Sequence, residues 1–509
     1  MCYRVNVYRQ ESHLGSKFIK QEAMQNLFTI ELRYARYYLE ILRTADVLFI
    51  KGGDSITQGL TLFDLERLNI EHGQKWASKN TKDDNAALLC NNYPTVGAYS
   101  IYLRLHVRDQ IRWLENALSA ARRLKNRQYE GNALGNLGNA YYLLGETRKA
   151  IEFHEQALII DREIGDRPGE GAVLSNLGLA YARLGETLKA IEYQEQALII
   201  HRETKDRRKE GAVLGNLGLA HARFGEISKA IEFYEQALMV ALEIGDRRGE
   251  GNALGNLGNA YTDLGETRKA IEYHEKALII DREIGDRRGE GQELGSLGNA
   301  YADLGMSGKA IEFFEQRLIL AREISDRHGE GNALGSLGIA YAGFGETRKA
   351  IEFHEKYLAI ARDIGDRRGE ESALGNLGVA YSDLNETRKA ITFYEQALRI
   401  ACTIGDKRNE GAWLGNLGNA YYLLGETRKA IEYLGQYLTI AREIGDQRGE
   451  GNASFNMSLA LDKLGEQPKA IELAEIAFQI FKAIEDPMVE RVRNLLDEWQ
   501  RRNKSAKPS

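Results

Sequence analysis

The chain has 509 residues, 68 lysines and arginines against 74 aspartates and glutamates, and a net charge of −6. This length exceeds one compact core and favours several domains or a repeat array, and the slightly acidic balance lacks the basic field typical of nucleic-acid binding. Cys2, Cys90 and Cys402 lie far apart and match neither a disulfide framework nor a metal-knuckle spacing, which indicates a reducing, cytoplasmic location.

The first 130 residues show only weak patterns. Residues 1–17 form an unpatterned leader without the apolar core of a secretory signal, and no apolar run in the chain approaches the roughly 20 residues that span a bilayer. We therefore predict no membrane partner. Residues 18–130 read as a degenerate helical region with about two helix pairs, in which two longer helices are separated by KGGDSITQG.

From residue 131 to residue 490 the sequence consists of nine units of 40 residues without insertion or deletion. A fixed period of this size predicts a solenoid of stacked supersecondary units. Each unit reads as two helices, A and B, at about 167–184 and 186–204 in the second unit. Gly145 is expected to close helix A in a left-handed conformation, and Asp166 is expected to cap the next helix A.

The last segment reads as an end cap. PMVERVRNLLDEWQRR follows Asp486, and its apolar residues form one stripe opposite a charged face. This pattern predicts a capping helix that starts near residue 487 and continues into residues 491–509, with a disordered tail NKSAKPS. A solenoid needs such a helix because its terminal unit has no neighbour to cover it.

The glycines inside helix A are predicted to serve packing. On a helical wheel Leu134, Leu137 and Gly138 lie on one buried side, and Ala150 and Ala157 mark the matching side of helix B. We expect Gly138 to lie opposite these alanines so that the two backbones approach closely. Each interior glycine costs roughly 1 kcal/mol of helix propensity, so the units must stack to be stable.

Asparagines form a stripe on the opposite side of helix A, which should line a concave groove. The residues of this predicted groove are Asn136, Asn176, Asn216, Asn256, Asn376 and Asn416, with Ser296, Ser336 and Asn456 at the same position, and Asn139, Asn259 and Asn299. A side-chain amide both donates and accepts hydrogen bonds and so suits clamping the backbone of an extended segment. The alternative is a solvated polar stripe copied by duplication.

One position of the stripe varies in charge. In place of Leu143 the next units carry Arg183 and Arg223, and later units carry Asp263, Asp303 and Asp383. By contrast Lys149 recurs in all nine units and Glu155 in eight, although both are expected on the outer face. We interpret the difference as a binding groove with a basic and an acidic section, in which each repeat meets about three residues of an extended ligand.

The motif LG-x-x-Y-x-x-x-G with later alanines, carried by Leu137, Gly138, Tyr141, Gly145 and the alanines above, resembles the tetratricopeptide repeat in its long, 40-residue form. This resemblance implies an all-α fold, a right-handed α-α superhelix with a C-terminal capping helix, and groove asparagines that contact extended peptides. In the N-terminal part, the segments RYARYYLEIL, LERLNIEHGQKWA and IRWLENALSAARRL resemble the region that follows the nucleotide-binding and winged-helix modules of bacterial NB-ARC signal-transduction ATPases. No GxxxxGK[ST] motif occurs in the sequence, so the resemblance implies a sensor arm without its ATPase. Either the arm acts on an NTPase or effector in another chain, or the sequence is a fragment of a larger protein of this kind.

Catalytic and metal-binding motifs are not found. His154, His274 and His354 occupy one position in separate units, which lie about 10 Å apart, too far to share one zinc ion. We therefore predict a protein without enzymatic activity or cofactor, whose function is to bind a protein or peptide partner. The alternatives are the sensor arm and a hydrolase built from scattered groove residues.

Overall fold

The computed structural model describes the backbone of residues 2–51 and 54–505 and the side chains of residues 24–51 and 55–502. Gly52 and Gly53, within the predicted break KGGDSITQG, and residues 506–509 of the predicted disordered tail lie outside this part. The described residues form 24 α-helices and no strand, which confirms the predicted all-α fold.

The N-terminal helices are α1 (Cys2–Lys51), α2 (Asp54–Lys79), α3 (Asp84–Val96), α4 (Ala98–Arg104) and α5 (Val107–Leu124). The backbone of the leader 1–17 is therefore helical from Cys2 onward. Helices α1, α2 and α3 share a core that contains Phe63 and Tyr93, and the Tyr93 hydroxyl donates a hydrogen bond to the Ala35 carbonyl at 2.7 Å. The same core includes Ile101 of the short helix α4.

The repeats follow as alternating A and B helices. They are α6 (Arg127–Leu144), α7 (Thr147–Ile164), α8 (Arg167–Arg183), α9 (Thr187–Glu203), α10 (Arg207–Phe224), α11 (Ile227–Ile244), α12 (Arg247–Asp263), α13 (Thr267–Ile284), α14 (Arg287–Asp303), α15 (Ser307–Glu323), α16 (Arg327–Gly343), α17 (Thr347–Ile364), α18 (Arg367–Asp383), α19 (Thr387–Ile404), α20 (Lys407–Leu423), α21 (Thr427–Ile444), α22 (Gln447–Lys463), α23 (Gln467–Ala483) and α24 (Met488–Ser505). The even-numbered helices from α6 to α22 are A helices, and the odd-numbered helices from α7 to α23 are B helices.

The predicted helix ends are confirmed. Gly145 has φ +86°, and Asn385, the one non-glycine residue at this position, has φ +59°. Both conformations are left-handed, which glycine and asparagine adopt at low cost. At the start of α8 the Asp166 Oδ1 atom accepts a hydrogen bond from the Gly169 N–H at 3.0 Å, which satisfies one of the free amides of the first turn.

The chain divides into two compact units, Met1–Ala260 and Tyr261–Ser509. In the first unit α8 approaches both α6 and α10, with Cα atoms within 8 Å. In the second unit α16 approaches both α14 and α18, and α20 approaches α22, within the same distance. Among the described residues of each unit, successive B helices make no comparable approach. Because the A helices lie closer to one another than the B helices do, each unit bends with its A helices on the inner side.

The glycine at the Gly138 position of helix A creates space for a side chain of helix B, and the prediction that Gly138 faces alanines is wrong. A Cβ atom on Gly138 would lie 2.5 Å from the His154 ring, and one on Gly338 would lie 2.3 Å from the His354 ring. Other units place Gln194, Tyr234, Phe314, Tyr394 or Leu434 at the same point. The flat or flexible residue at this position of helix B, one turn after Ala150, occupies the space that glycine leaves.

The C-terminal helix α24 covers the last repeat, as predicted for an end cap. Val492 and Trp499 are 0% and 1% exposed and pack with Phe455 and Phe481 of α22 and α23. Apolar side chains of the ninth unit that would otherwise face water are thereby buried.

Candidate functional site

In each of the two compact units, Met1–Ala260 and Tyr261–Ser509, the A helices present one continuous set of side chains, which we call the A-face. It consists of the residues at the positions of Asn132, Asn136, Asn139 and Leu143 in each A helix. At the Asn136 position all nine residues are half-buried, whereas at the Leu143 position all nine are exposed. The A-face is therefore a row of partly sheltered amides and hydroxyls beside a fully open row.

The amides also bind one another. The Asn176 Nδ2 atom donates a hydrogen bond to the Asn139 Oδ1 atom at 3.0 Å, which links two successive A helices. This bond leaves the Nδ2 donors of Asn139 and the Oδ1 acceptor of Asn176 available. This bond supports the stacking of the first two repeats.

The sequence reasoning missed an apolar component of the A-face. At the Asn139 position only four units carry asparagine, namely Asn139, Asn259, Asn299 and Asn419, and the others carry Leu179, Leu219, Ile339, Val379 and Leu459. Leu219 is 43% exposed and Ile339 is 60% exposed. The change from LGNLGNA to LGNLGLA was visible in the sequence, and it indicates that part of the face can bury apolar groups of a ligand.

Arg183 and Arg223 lie on consecutive A helices, α8 and α10, in the unit Met1–Ala260. The Arg183 guanidinium lies 4.9 Å from the centre of the Tyr142 ring, and its Nη1 atom donates to the Tyr142 carbonyl at 2.8 Å. Within the described side chains, no carboxylate oxygen lies within 4.0 Å of either guanidinium. The two arginines are therefore unneutralised charges on the A-face, and Arg183 is held in place.

The acidic residues belong to the other unit. Asp263, Asp303 and Asp383 are exposed, and within the described side chains none has a cationic group within 4.0 Å. Asp303 and Asp383 are the last residues of α14 and α18, and Gly343 takes this position in the repeat between them. At the Leu143 position, the charged residues of the unit Met1–Ala260 are positive and those of the unit Tyr261–Ser509 are negative, apart from Lys463.

The constancy of Lys149 and Glu155 has a structural cause. The Lys149 Nζ atom lies 5.2 Å from the Tyr141 ring centre and 2.5 Å from the Glu146 Oε2 atom. The Glu155 Oε1 atom accepts a hydrogen bond from the Tyr181 hydroxyl at 3.4 Å. These contacts recur along the chain and hold helices together, so the outer face is constrained by its own packing. The contrast in variation between the two faces therefore does not by itself indicate a ligand.

A cleft of about 540 Å³ opens where α4 and α5 meet the first A helix, α6. Its walls are formed by Pro94, Ala98, Tyr99, Ile101, Tyr102, Gln110, Leu114, Asn136, Asn139, Ala140, Tyr142 and Leu143. It therefore joins the beginning of the asparagine row to a mainly apolar hollow. Sequence reasoning could not find it because α4 lies outside the repeats and follows no periodic pattern.

His154 and His354 of the B helices serve packing, whereas the Nδ1 atom of His274 lies 2.6 Å from the Glu293 Oε2 atom. His154 and His354 are 1% and 2% exposed, and burial lowers the pKa of each to about 4, so that both are neutral near pH 7. No group of three or more histidine, cysteine, aspartate or glutamate side chains within the described residues is arranged to hold a metal ion. No helix in the described ranges combines the length and the apolar character that a membrane span needs.

The tetratricopeptide repeat family model matches residues 111–163, 169–243, 249–323, 292–363, 369–443 and 409–483. These matches cover more than half of the chain, so the protein belongs to the tetratricopeptide repeat family. Repeats of this kind typically form non-catalytic scaffolds for protein interactions. The search among curated proteins found no match.

Several solved structures share the fold. One is the Signal Transduction ATPase with Numerous Domains (STAND) protein with a tetratricopeptide repeat sensor from Pyrococcus horikoshii, at 15% identity and a TM-score of 0.56, covering 89% of this chain and 74% of that chain. Another is the apo form of the quorum sensor NprR from B. thuringiensis, at 16% identity and a TM-score of 0.47, covering 66% of this chain and 98% of that chain. At 15% identity the likeness to the STAND protein shows the fold alone, and the likeness to NprR carries no argument.

Proposed function

We propose that this protein is a non-catalytic scaffold that binds an extended segment of a partner protein along the A-face. The observation that carries the proposal is the half-buried row at the Asn136 position, flanked by an open row that differs in charge between repeats. Sheltered amides can bond to any peptide backbone, whereas the open row can select side chains. The inner side of a bend is also where an extended segment meets several repeats at once.

The experiment begins with a displayed library of random peptides selected on the whole chain. Affinities of the selected peptides are then measured for Arg183→Glu with Arg223→Glu, and for Asn136→Ala with Asn176→Ala. The matched control is Arg148→Glu with Arg268→Glu, because these exposed arginines lie in the first turns of the B helices α7 and α13. We expect losses of about tenfold or more for the A-face variants and little change for the control. Equal losses from both sets would contradict the proposal.

A second candidate function is a sensor arm for an NTPase or effector encoded separately. Its support is the likeness to the STAND protein, which covers 89% of this chain and so extends beyond the nine regular repeats. A GxxxxGK[ST] motif in a neighbouring reading frame would supply the candidate partner. Under this function, adding the chain to that partner should change its rate of NTP hydrolysis, and an unchanged rate would contradict it.

A further inference from the structure

The cleft between α4 and α6 has fixed walls. The Asp46 carboxylate, only 4% exposed, accepts hydrogen bonds from the Ser100 N–H at 2.8 Å and the Ser100 hydroxyl at 2.9 Å, which fastens the start of α4. The Tyr99 ring stacks on Phe49 with ring centres 5.5 Å apart. The hollow is therefore preformed, and a ligand would bind without first ordering this segment.

The lining of the cleft suits an aromatic group. Tyr99 and Tyr102 are 52% and 54% exposed, Leu143 is 43% exposed, and the Tyr142 ring completes the wall. Exposed rings that converge on one hollow can pack an inserted ring edge-to-face or stacked. The volume of about 540 Å³ falls within the range of specific ligand pockets and admits a large side chain with its adjoining backbone.

The charge next to the cleft is positive and uncompensated. Arg183 lies over the Tyr142 ring that lines the cleft, and Arg223 follows on the next A helix. Six arginines of this unit are paired with glutamates, namely Arg122, Arg127, Arg162, Arg167, Arg202 and Arg207, whereas Arg183 and Arg223 on the A-face have no such partner within the described side chains. Arg183 and Arg223 therefore present the charge that an acidic ligand would complement.

We infer that the cleft binds an aromatic side chain of an acidic peptide whose carboxylates pair with Arg183 and Arg223. The inference rests on the proposed function and specifies the anchor and the charge of the segment that is bound. Successive A helices lie about 10 Å apart and an extended chain rises about 3.3 Å per residue. The two acidic residues of the peptide should therefore be about three residues apart, with the aromatic residue beside the one that meets Arg183.

The test measures fluorescence anisotropy of short labelled peptides with the whole chain. The reference peptide carries one tryptophan and two aspartates about three residues apart. One altered peptide has alanine in place of tryptophan, and another has lysines in place of the aspartates. The protein variant Ala98→Trp fills the cleft from an exposed wall residue, and Ala483→Trp, at an exposed alanine of the B helix α23, is its control. Arg183→Glu with Arg223→Glu reverses the charge.

We expect Ala98→Trp, the loss of the peptide tryptophan and the charge reversal each to weaken binding by about tenfold or more. The charge-reversed protein should bind the lysine peptide better than the aspartate peptide, which also shows that it remains folded. Unchanged affinity with Ala98→Trp would overturn the inference that the cleft binds an aromatic side chain. If the charge reversal still weakened binding in that case, the proposed scaffold function would remain supported without the aromatic anchor.

Two further results would overturn the inference. One is equal affinity of the wild-type chain for the aspartate and lysine peptides, which would show that the protein does not prefer an acidic peptide. The other is self-association that Ala98→Trp abolishes, which would identify a second copy of the chain as the occupant. The proposed function itself fails only if the library selection yields no peptide whose binding depends more on the A-face residues than on the control arginines of the B helices.

Discussion

Two glycines of helix α10 show why glycine occurs inside the A helices. A Cβ atom on Gly218 would lie 2.4 Å from the Tyr234 ring, whereas one on Gly215 would meet nothing within 4 Å. Gly218 therefore gives space to a side chain of helix B, and Gly215 brings no comparable packing benefit. Both lower the intrinsic stability of the helix, since glycine costs about 1 kcal/mol relative to alanine in a helix interior.

This contrast predicts opposite effects of the same substitution in one helix. Gly218→Ala should lower the free energy of unfolding by about 1–3 kcal/mol, because the ring of Tyr234 must move. Gly215→Ala should raise it by up to about 1 kcal/mol through helix propensity alone. Thermal unfolding and amide hydrogen exchange of α10 would measure both changes, and effects of the same sign would contradict the assignment.

The sequence predicted that Gly138 lies on the buried side of helix A, but it did not predict which side chain of helix B packs against it. The helical wheel placed Gly138 on the buried side of helix A, which the structure confirms, because the period of a helix fixes which side a residue occupies. The partner depends on how far helix B is shifted along helix A, and a wheel carries no such information. For the same reason the stacking of Lys149 on Tyr141 and the cleft beside α4 could not be foreseen.

At the level of the helices, one buried glutamate joins neighbouring repeats. The Glu170 side chain is 7% exposed and accepts hydrogen bonds from Arg162 Nε at 2.7 Å and Arg167 Nη1 at 2.6 Å. Burial alone would raise the pKa of Glu170, but the bonds from these two arginines outweigh it and lower the pKa below the usual value. Arg162 belongs to α7 and Glu170 to α8, so the contact ties one repeat to the next.

The junction of the third and fourth repeats provides a natural comparison. Leu242 replaces the arginine that corresponds to Arg162, and Glu250 retains its ion pair with Arg247 at 2.6 Å. Glu170→Ala should therefore lower the free energy of unfolding by about 1–3 kcal/mol, and Glu250→Ala should cost less. Hydrogen exchange of the amides where α7 meets α8 should accelerate in the first variant. Equal costs for the two substitutions would show that the bond between repeats contributes nothing.

The helix ends were predicted more accurately than any contact between helices. Gly145 and Asp166 act on the backbone groups next to them, so their residue type alone indicates where a helix stops and the next begins. The Glu170 contacts instead join residues of different helices, and their geometry appears only when the helices are packed. Likewise the exposure of Arg183 and Arg223 was expected from the stripe, but the contact of Arg183 with Tyr142 was not.

At the scale of the whole molecule, the stability of a solenoid is approximately a sum over repeats and their interfaces. The interfaces here are not all equivalent. Trp413 Nε1 donates a hydrogen bond to the Glu371 Oε1 atom at 2.6 Å, and the ring covers Gly375, where a Cβ atom would lie 2.0 Å away. Every other unit has glycine at the position of Glu371, so the seventh and eighth repeats form a specific pair.

Two deletions of one repeat each test whether this pair matters. Deleting residues 331–370 keeps Glu371 and Trp413 in adjacent repeats, whereas deleting residues 371–410 places Gly331 where Glu371 was. The indole N–H of Trp413 then loses its acceptor, so the second deletion should be less stable by about 1–3 kcal/mol. Unfolding in urea, followed by tryptophan fluorescence, would measure the difference. Adding Gly331→Glu to the second deletion supplies a carboxylate again and should restore the stability. If the two deletions were equally stable, the repeats would be interchangeable at this interface.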